Sequence, residues 1–217
     1  MAGKKIRDAN MTKKQILQEA EKLFAEKGFA GTTLSEISKA SNASGPLIVF
    51  HFKDKQGVYN AVKAEIIKRY VETDRKNSPC DDSSSAFIKH ILSSMFQFYS
   101  ENPTMMRMAN WGRLEGDVES WPGEDEWHHI YLDCIRKAQE RGEIRKDLTP
   151  LNISIMIFGV VHIWWEYHEH FLKHMNAGEQ KEEADNFYYQ QCLSFVLQGL
   201  SNDVCNLEIK KGDLSKK

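Results

Sequence analysis

The chain has 217 residues, 41% of them hydrophobic and 28% charged, with a formal net charge of −2. That balance describes a solvated surface around a real core and excludes a disordered chain. The charge is unevenly divided: residues 1–79 carry 15 Lys and Arg against 9 Asp and Glu, and the acidic excess lies in the remainder, which points to a polyanion-binding module joined to a body that does not touch the polyanion.

The opening MAGKKIRDANMTKK is polar and lacks the apolar segment of a secretion signal, so a cytoplasmic protein is expected. Thr12 and Gln15 have the spacing of a capping box, in which each side chain satisfies a backbone N–H left open at a helix start. Ile16, Ala20, Leu23 and Phe24 then recur at helical spacing, and Gly28 supplies a stop. Thr33 and Glu36 repeat the capping-box spacing ahead of a helix too short to pass Asn42. Ser44 is a third N-cap candidate, with Pro46 in the first turn, where a missing N–H costs nothing; this helix ends near Phe52. Three short capped helices, with a turn of a few residues between the second and third, describe a helix-turn-helix.

Asp54 is placed to cap a longer helix over 55–76, followed by a loop over 77–85. Further helices are expected at 86–101, 103–115, 124–141, 150–174 and 181–200, with Thr149-Pro150 as an N-cap followed by proline at N1. Helical periodicity dominates throughout, so the fold class is all-α with about nine helices, and the last ~15 residues read as a polar, frayed end. The most apolar run, Ile153–Trp165, is 13 residues long and interrupted by Ser154, Gly159 and His162. It is too short for a bilayer of about 30 Å, and no membrane partner is expected. Cys80, Cys134, Cys192 and Cys205 form no CxxC pair, which favours free thiols over a disulfide framework. No P-loop, Rossmann glycine set or GxSxG is present, so neither catalysis nor a cofactor is expected.

The run Thr12–Val62, TKKQILQEAEKLFAEKGFAGTTLSEISKASNASGPLIVFHFKDKQGVYNAV, resembles the DNA-binding domain of tetracycline-repressor-type (TetR-family) regulators. The specific part is A-x-x-L-F-x-x-x-G-F-x-x-T-T-L-x-x-I followed by H-F-K-D-K. The resemblance implies a DNA-binding domain over 1–56, a ligand-binding and dimerisation domain over 57–217, and a ligand-responsive repressor with a palindromic double-stranded DNA operator. It implies phosphate contacts from Thr33 and Lys55, and groove contacts from the helix after Ser44, through Gly45, Leu47, Val49, Phe50 and His51, with Pro46 in its first turn. Elementary electrostatics agrees at Thr33, where N–H groups, a hydroxyl and a dipole end converge. The family usually has a cation and then a Leu-Tyr pair in this helix; here Val49 stands where the tyrosine would, and the helix is unusually apolar. Readout through thymine-methyl contacts, His51 and DNA shape follows. The basic arm of Lys4, Lys5, Arg7, Lys13 and Lys14 is placed to reach an adjacent groove or the backbone.

One recognition helix gives little affinity; two, about 34 Å apart, give a palindromic footprint, so a two-fold homodimer is implied. The last two long helices are the expected interface, through Ile155, Trp164, Tyr188, Cys192, Phe195 and Gly199. A small-molecule effector would sit among Met and aromatic side chains, with Phe96, Tyr99, Met106, Trp111, Trp127, Tyr131, Phe158, His162 and Trp165 as candidate lining and Arg107, Asn110 and Glu115 as polar orienting groups. One alternative belongs to another class. His162, Glu166, His170 and His174 fall on a single i, i+4 stripe of the 150–174 helix, as in a helical metal-binding protein or metalloenzyme.

Overall fold

A computed structural model describes residues 2–74, 83–175, 178 and 180–201, with side chains except at 2–11 and 73–74. Ten α-helices and no strand occur among these residues: α1 (Ala2–Lys27), α2 (Leu34–Ser41), α3 (Gly45–Phe52), α4 (Lys55–Asp74), α5 (Ser84–Glu101), α6 (Pro103–Glu115), α7 (Glu124–Glu140), α8 (Pro150–Glu166), α9 (His168–His174) and α10 (Lys181–Leu200). The all-α architecture stands as expected from the periodicity.

The head is α1–α3 closed by the start of α4. Ile16, Ala20 and Phe24 on α1, Ile37 on α2, Ile48 on α3 and Val58 on α4 are fully buried and supply its core. Phe24 is ringed edge-on by Tyr59 of α4 at 4.9 Å. In the body α5 is central: it packs on α4, α6, α8 and α10 and buries Ile88, Ile91, Leu92, Met95 and Phe98.

Three helix boundaries and one cysteine differ from expectation. α1 begins at Ala2, so Thr12 lies inside the helix and the Thr12–Gln15 pair is not its start. α5 begins at Ser84, two residues earlier, because the Ser83 hydroxyl accepts from Ala86 N–H. The expected 150–174 helix breaks at Tyr167 (φ −110°, ψ 21°) into α8 and α9, which raises the count from nine to ten. Asp185 of α10 fixes the break: its Oδ1 accepts from Trp164 Nε1 at 3.0 Å and from His168 Nε2 at 2.6 Å, one on each side. Finally, Cys134 is disulfide-bonded, against the expectation of free thiols, while Cys192 is free and buried. Cys80, Cys205, the expected loop up to residue 82 and the polar end lie outside the described residues.

Candidate functional site

The second capping box holds. Glu36 N–H donates to Thr33 Oγ1 (3.2 Å) and Thr33 N–H to Glu36 Oε2 (2.9 Å), and the Thr33 hydroxyl also donates to Glu36 Oε2 (2.8 Å). Lys27 Nζ lies 2.7 Å from Glu36 Oε1. The Lys27 ammonium, helped by the Thr33 hydroxyl and N–H, holds the Glu36 carboxyl down at about 2. Asp54 caps α4 by accepting from Gly57 N–H at 2.8 Å. Ser44 occupies the N-cap position of α3 but its side chain makes no cap hydrogen bond; its carbonyl instead accepts from Leu47 and Ile48 N–H.

Between these caps α3 divides by face. Ile48 and Phe52 are buried in the head. Val49 is 47% and Phe50 80% exposed, Pro46 is exposed, and Gly45, Leu47 and His51 are half-buried. The rings of Phe50 and His51 meet edge-on at 5.3 Å. Lys55 is less free than its place in the motif suggests: Nζ donates to the carbonyls of Phe29 (2.8 Å) and Thr32 (2.9 Å) and lies 4.3 Å from the centre of the Phe29 ring. It fastens the α1–α2 turn to α4, which leaves one ammonium N–H for an outside acceptor.

A cavity of about 150 Å³ lies within the body, walled by α4, α5, α6, α8 and the start of α7. Of the expected lining, Tyr99, Trp127, Phe158 and His162 stand in this wall, beside Ile66, Tyr70, Met95, Phe98, Met105 and Trp121. Tyr131 lines a smaller adjoining cavity with Trp127 and His128. The rest fall elsewhere. Phe96 packs against Trp165, Tyr188 and Tyr189 on the α10 side. Met106 and Trp165 border a separate open cleft. Trp111 faces the head, 2.9 Å from where a Cβ on Gly28 would stand. A linear pattern of aromatics cannot tell which side of a helix faces the void; packing decides it.

Two of the polar groups expected to orient a ligand, Glu115 and Arg107, instead hold the head to the body. Glu115 accepts from the N–H groups of Phe29 (3.0 Å) and Ala30 (2.9 Å). Arg107 Nε donates to the Ala25 carbonyl at 2.8 Å, and Asn110 bonds Arg113. Arg69 grips both oxygens of Glu21 (3.0 and 2.9 Å), with the Thr104 hydroxyl as a third donor at 2.6 Å. Lys63, 3% exposed, meets Asp117 at 2.6 Å. Of these ties only one left a trace in the sequence: Glu21 sits beside Ala20 on the apolar stripe of α1.

On the outer side of the body, α8 buries only Ile153, Ile157, Val161 and Trp164. Leu151 (56%), Ile155 (58%), Phe158 (41%) and Ile163 (41%) remain open, as do Phe187 (59%) and Phe195 (70%) on α10. Two expected interface residues are not on that face: Trp164 and Cys192 are buried inside the protomer, with Trp164 stacked on Tyr188 at 4.2 Å. The Tyr188 hydroxyl donates to the Val160 carbonyl at 2.7 Å, whereas Gly199 is exposed.

The stripe read as a metal alternative is not assembled into one site among the described residues, and nothing supports it. Arg113 of α6 takes up the first two members of the stripe, with Nη1 3.2 Å from His162 Nε2 and Nη2 2.9 Å from Glu166 Oε1. His170 and His174 lie beyond the Tyr167 break on α9. No group of three or more His, Cys, Asp or Glu side chains among the described residues is arranged to hold a metal ion.

Two family models match the chain: residues 16–62 match "Bacterial regulatory proteins, tetR family" and residues 92–188 match "Tetracyclin repressor-like, C-terminal domain". The chain is 37% identical over 62 residues to the HTH-type transcriptional regulator AcrR of Shigella flexneri, covering 29% of each chain. It is 36% identical over 109 residues to YttP of Bacillus subtilis, covering 50% of this chain and 52% of that one. It therefore spans about half or less of the length of these two relatives. Among solved structures, the Streptomyces coelicolor protein SCO4942 superimposes with a TM-score of 0.70 at 20% identity, over 87% of this chain and 98% of that one. The Haemophilus influenzae TetR-family regulator HI0893 gives a TM-score of 0.64 at 13% identity, over 88% and 97%. These two likenesses show the fold.

Proposed function

Because this chain belongs to the tetR family of bacterial regulatory proteins, we propose that it is a dimeric repressor released from a palindromic operator by a small apolar effector. The head, ending near residue 56, is its DNA-binding domain and the remainder its effector-binding and dimerisation domain. The observation that carries this function is the division of α3 between a buried and an open face. A short helix anchored by Ile48 and Phe52 holds Phe50 out in water and leaves about half of Val49 open beside it. Large exposed apolar groups on a helix of the head are suited to thymine methyls in a major groove. Thr33 at the start of α2 and the remaining N–H of Lys55 supply phosphate contacts beside it.

The open apolar stripes of α8 and α10 supply the second subunit's docking face. A helix apolar all round, with half its circumference uncovered, needs a partner of the same kind. Two copies would form a four-helix bundle around Ile155, Phe195 and Gly199. The cavity among α4–α8 takes the effector. Its wall includes α6, whose end grips the head through Glu115, so a ligand that favours one setting of α6 also biases the spacing of the two α3 helices.

The deciding experiment is selection of genomic DNA fragments by the purified protein at low and high salt, with and without cell extract as a source of effector. Retention of a palindromic fragment, weakening steeply as salt rises and lost with extract, is the expected outcome. A monomer in sedimentation that retains no fragment at low salt overturns the assignment.

A further inference from the structure

The body cavity of about 150 Å³ adjoins a second void. A cleft of about 360 Å³ lies between α7 and α8, and Glu124, His128 and Phe158 line both spaces. The two differ in depth and chemistry. The inner one is walled by a chain of rings: Trp127 to Tyr70 at 4.7 Å, Tyr70 to Phe98 at 4.9 Å, Phe98 to Tyr99 at 6.3 Å and Tyr99 to Phe158 at 6.4 Å. The outer one is bordered by the exposed side chains of Asp125, His129 and Ile155, the last on the apolar face given above to the second subunit. Glu124, half-buried, stands at the junction.

The charge along this path has one sign. Among the described residues, no Lys or Arg lines either void. The Glu124 carboxylate accepts from Trp121 N–H at 2.7 Å and has no ion-pair partner among the described residues. The Lys63 ammonium, 5.6 Å from the centre of the Trp121 ring, is paired with Asp117. Burial lowers the His162 pKa below its ordinary value, so that ring adds no compensating cation at neutral pH. Burial first, and the Glu124 charge with it, push the Tyr99 phenol above its ordinary value; the carboxylate is felt inside the aromatic cavity. The α7 dipole accounts for acidic residues in its first turn. It does not account for walls that hold a carboxylate and many rings but no cation.

We propose that the effector is an amphiphilic organic monocation, with an aryl or alkyl body in the inner cavity and an ammonium group at the junction beside Glu124. This rests on the sensor role given above, keeps its largely apolar body and adds one cationic end. Apolar walls with a single charged group set into them suit such a ligand. Ring faces and the carboxylate both attract a cation. At the junction the ammonium escapes the full cost of burial, which the inner cavity would impose on it. A neutral body of the same shape would shed water from Glu124 and give it no partner, and an acid would meet it with like charge.

Titration calorimetry of the intact chain at about pH 8, where an ordinary imidazole is neutral, tests this with 4-phenylbutylamine, 4-phenylbutanol and 4-phenylbutyrate. The amine should bind at least about fivefold tighter than the alcohol, and the acid weakest. The margin between amine and alcohol should narrow as salt rises, because screening acts on the ion pair and not on the apolar body. Both readings need no variant. Glu124→Gln keeps an acceptor for Trp121 N–H and removes the charge; it should bring the amine-to-alcohol ratio close to one by weakening the amine. Equal or tighter binding of the alcohol, preference for the acid, a margin indifferent to salt, a ratio that Glu124→Gln leaves untouched, or binding of none of the three overturns the ligand class. DNA retention separates the two levels. If none of the three binds but cell extract still releases the operator fragment, the sensor role stands and only the ligand class falls. If extract never changes retention, the sensor role falls too.

Discussion

The Glu115 carboxylate, at the last residue of α6, accepts the backbone N–H of Phe29 at 3.0 Å, and that of Ala30 beside it. The two residues are far apart in sequence, yet this contact joins the helix that walls the cavity to the turn that launches α2. Gly28 makes the approach possible. Its φ is +73°, and a Cβ there would stand 2.5 Å from Glu115 Oε1 and 2.9 Å from Trp111.

Gly28→Ala should therefore be costly twice over, through a left-handed backbone and through a clash. A loss of about 1–3 kcal/mol is expected. Glu115→Gln keeps one acceptor and should cost less. Chemical denaturation of both variants checks the order, and an undisturbed Gly28→Ala protein would show that α6 does not press on the turn.

The Lys63–Asp117 pair ties α4 to the segment after α6 with the ammonium almost wholly buried. Asp117→Ala leaves that charge without its partner and should destabilise by roughly 3 kcal/mol, whereas Lys63→Met combined with Asp117→Ala should recover much of the loss. A double-mutant cycle on unfolding free energies measures it. Additive losses would mean that the pair is not coupled.

Acid should loosen the contact between α1 and α2 in the head. Glu36 has a folded pKa of about 2, below its ordinary 4.5, through the Lys27 ammonium and the Thr33 groups. A depressed carboxyl stabilises the fold fully above its unfolded pKa and loses that contribution as pH falls through the folded value. The window is thus from about pH 4.5 down to about 2. Glu36→Gln should flatten the stability profile across that window and leave the profile above it parallel to the parent's. Thermal melting as a function of pH reads the difference.

Within α3 the two faces should separate stability from DNA binding. Ile48→Ala, at a fully buried site, should cost about 2–5 kcal/mol of stability. Phe50→Ala, at a site 80% exposed, should leave melting nearly unchanged and weaken operator binding about tenfold or more, the scale of one good groove contact. Fluorescence anisotropy on a selected operator fragment, paired with melting, resolves the two. Phe195→Glu, placed on the open α10 face, should yield a folded monomer by sedimentation.

Local chemistry carried most of the secondary structure. The Thr33–Glu36 box, the Asp54 cap, Pro46, Pro150 and the Gly28 stop depend on residues within a turn of one another, so a linear pattern contains them. The apolar stripe of α1 likewise announced which face goes inward, and the motif over Thr12–Val62 announced the family. What the sequence could not decide were matters of distance along the chain. Asp185 breaks the helix near Tyr167 from the neighbouring α10. Glu115, Arg107 and Asn110, which seemed free to orient a ligand, are taken up by the head or by Arg113. The aromatics of α5–α8 divide between cavity, core and dimer face according to packing angles that no one-dimensional period encodes. Composition and spacing determine which helices form and which faces are apolar, because those depend on propensity and periodicity. Only the tertiary structure decides which polar groups meet across those helices, because a hydrogen bond is fixed by angstroms between chain-distant atoms.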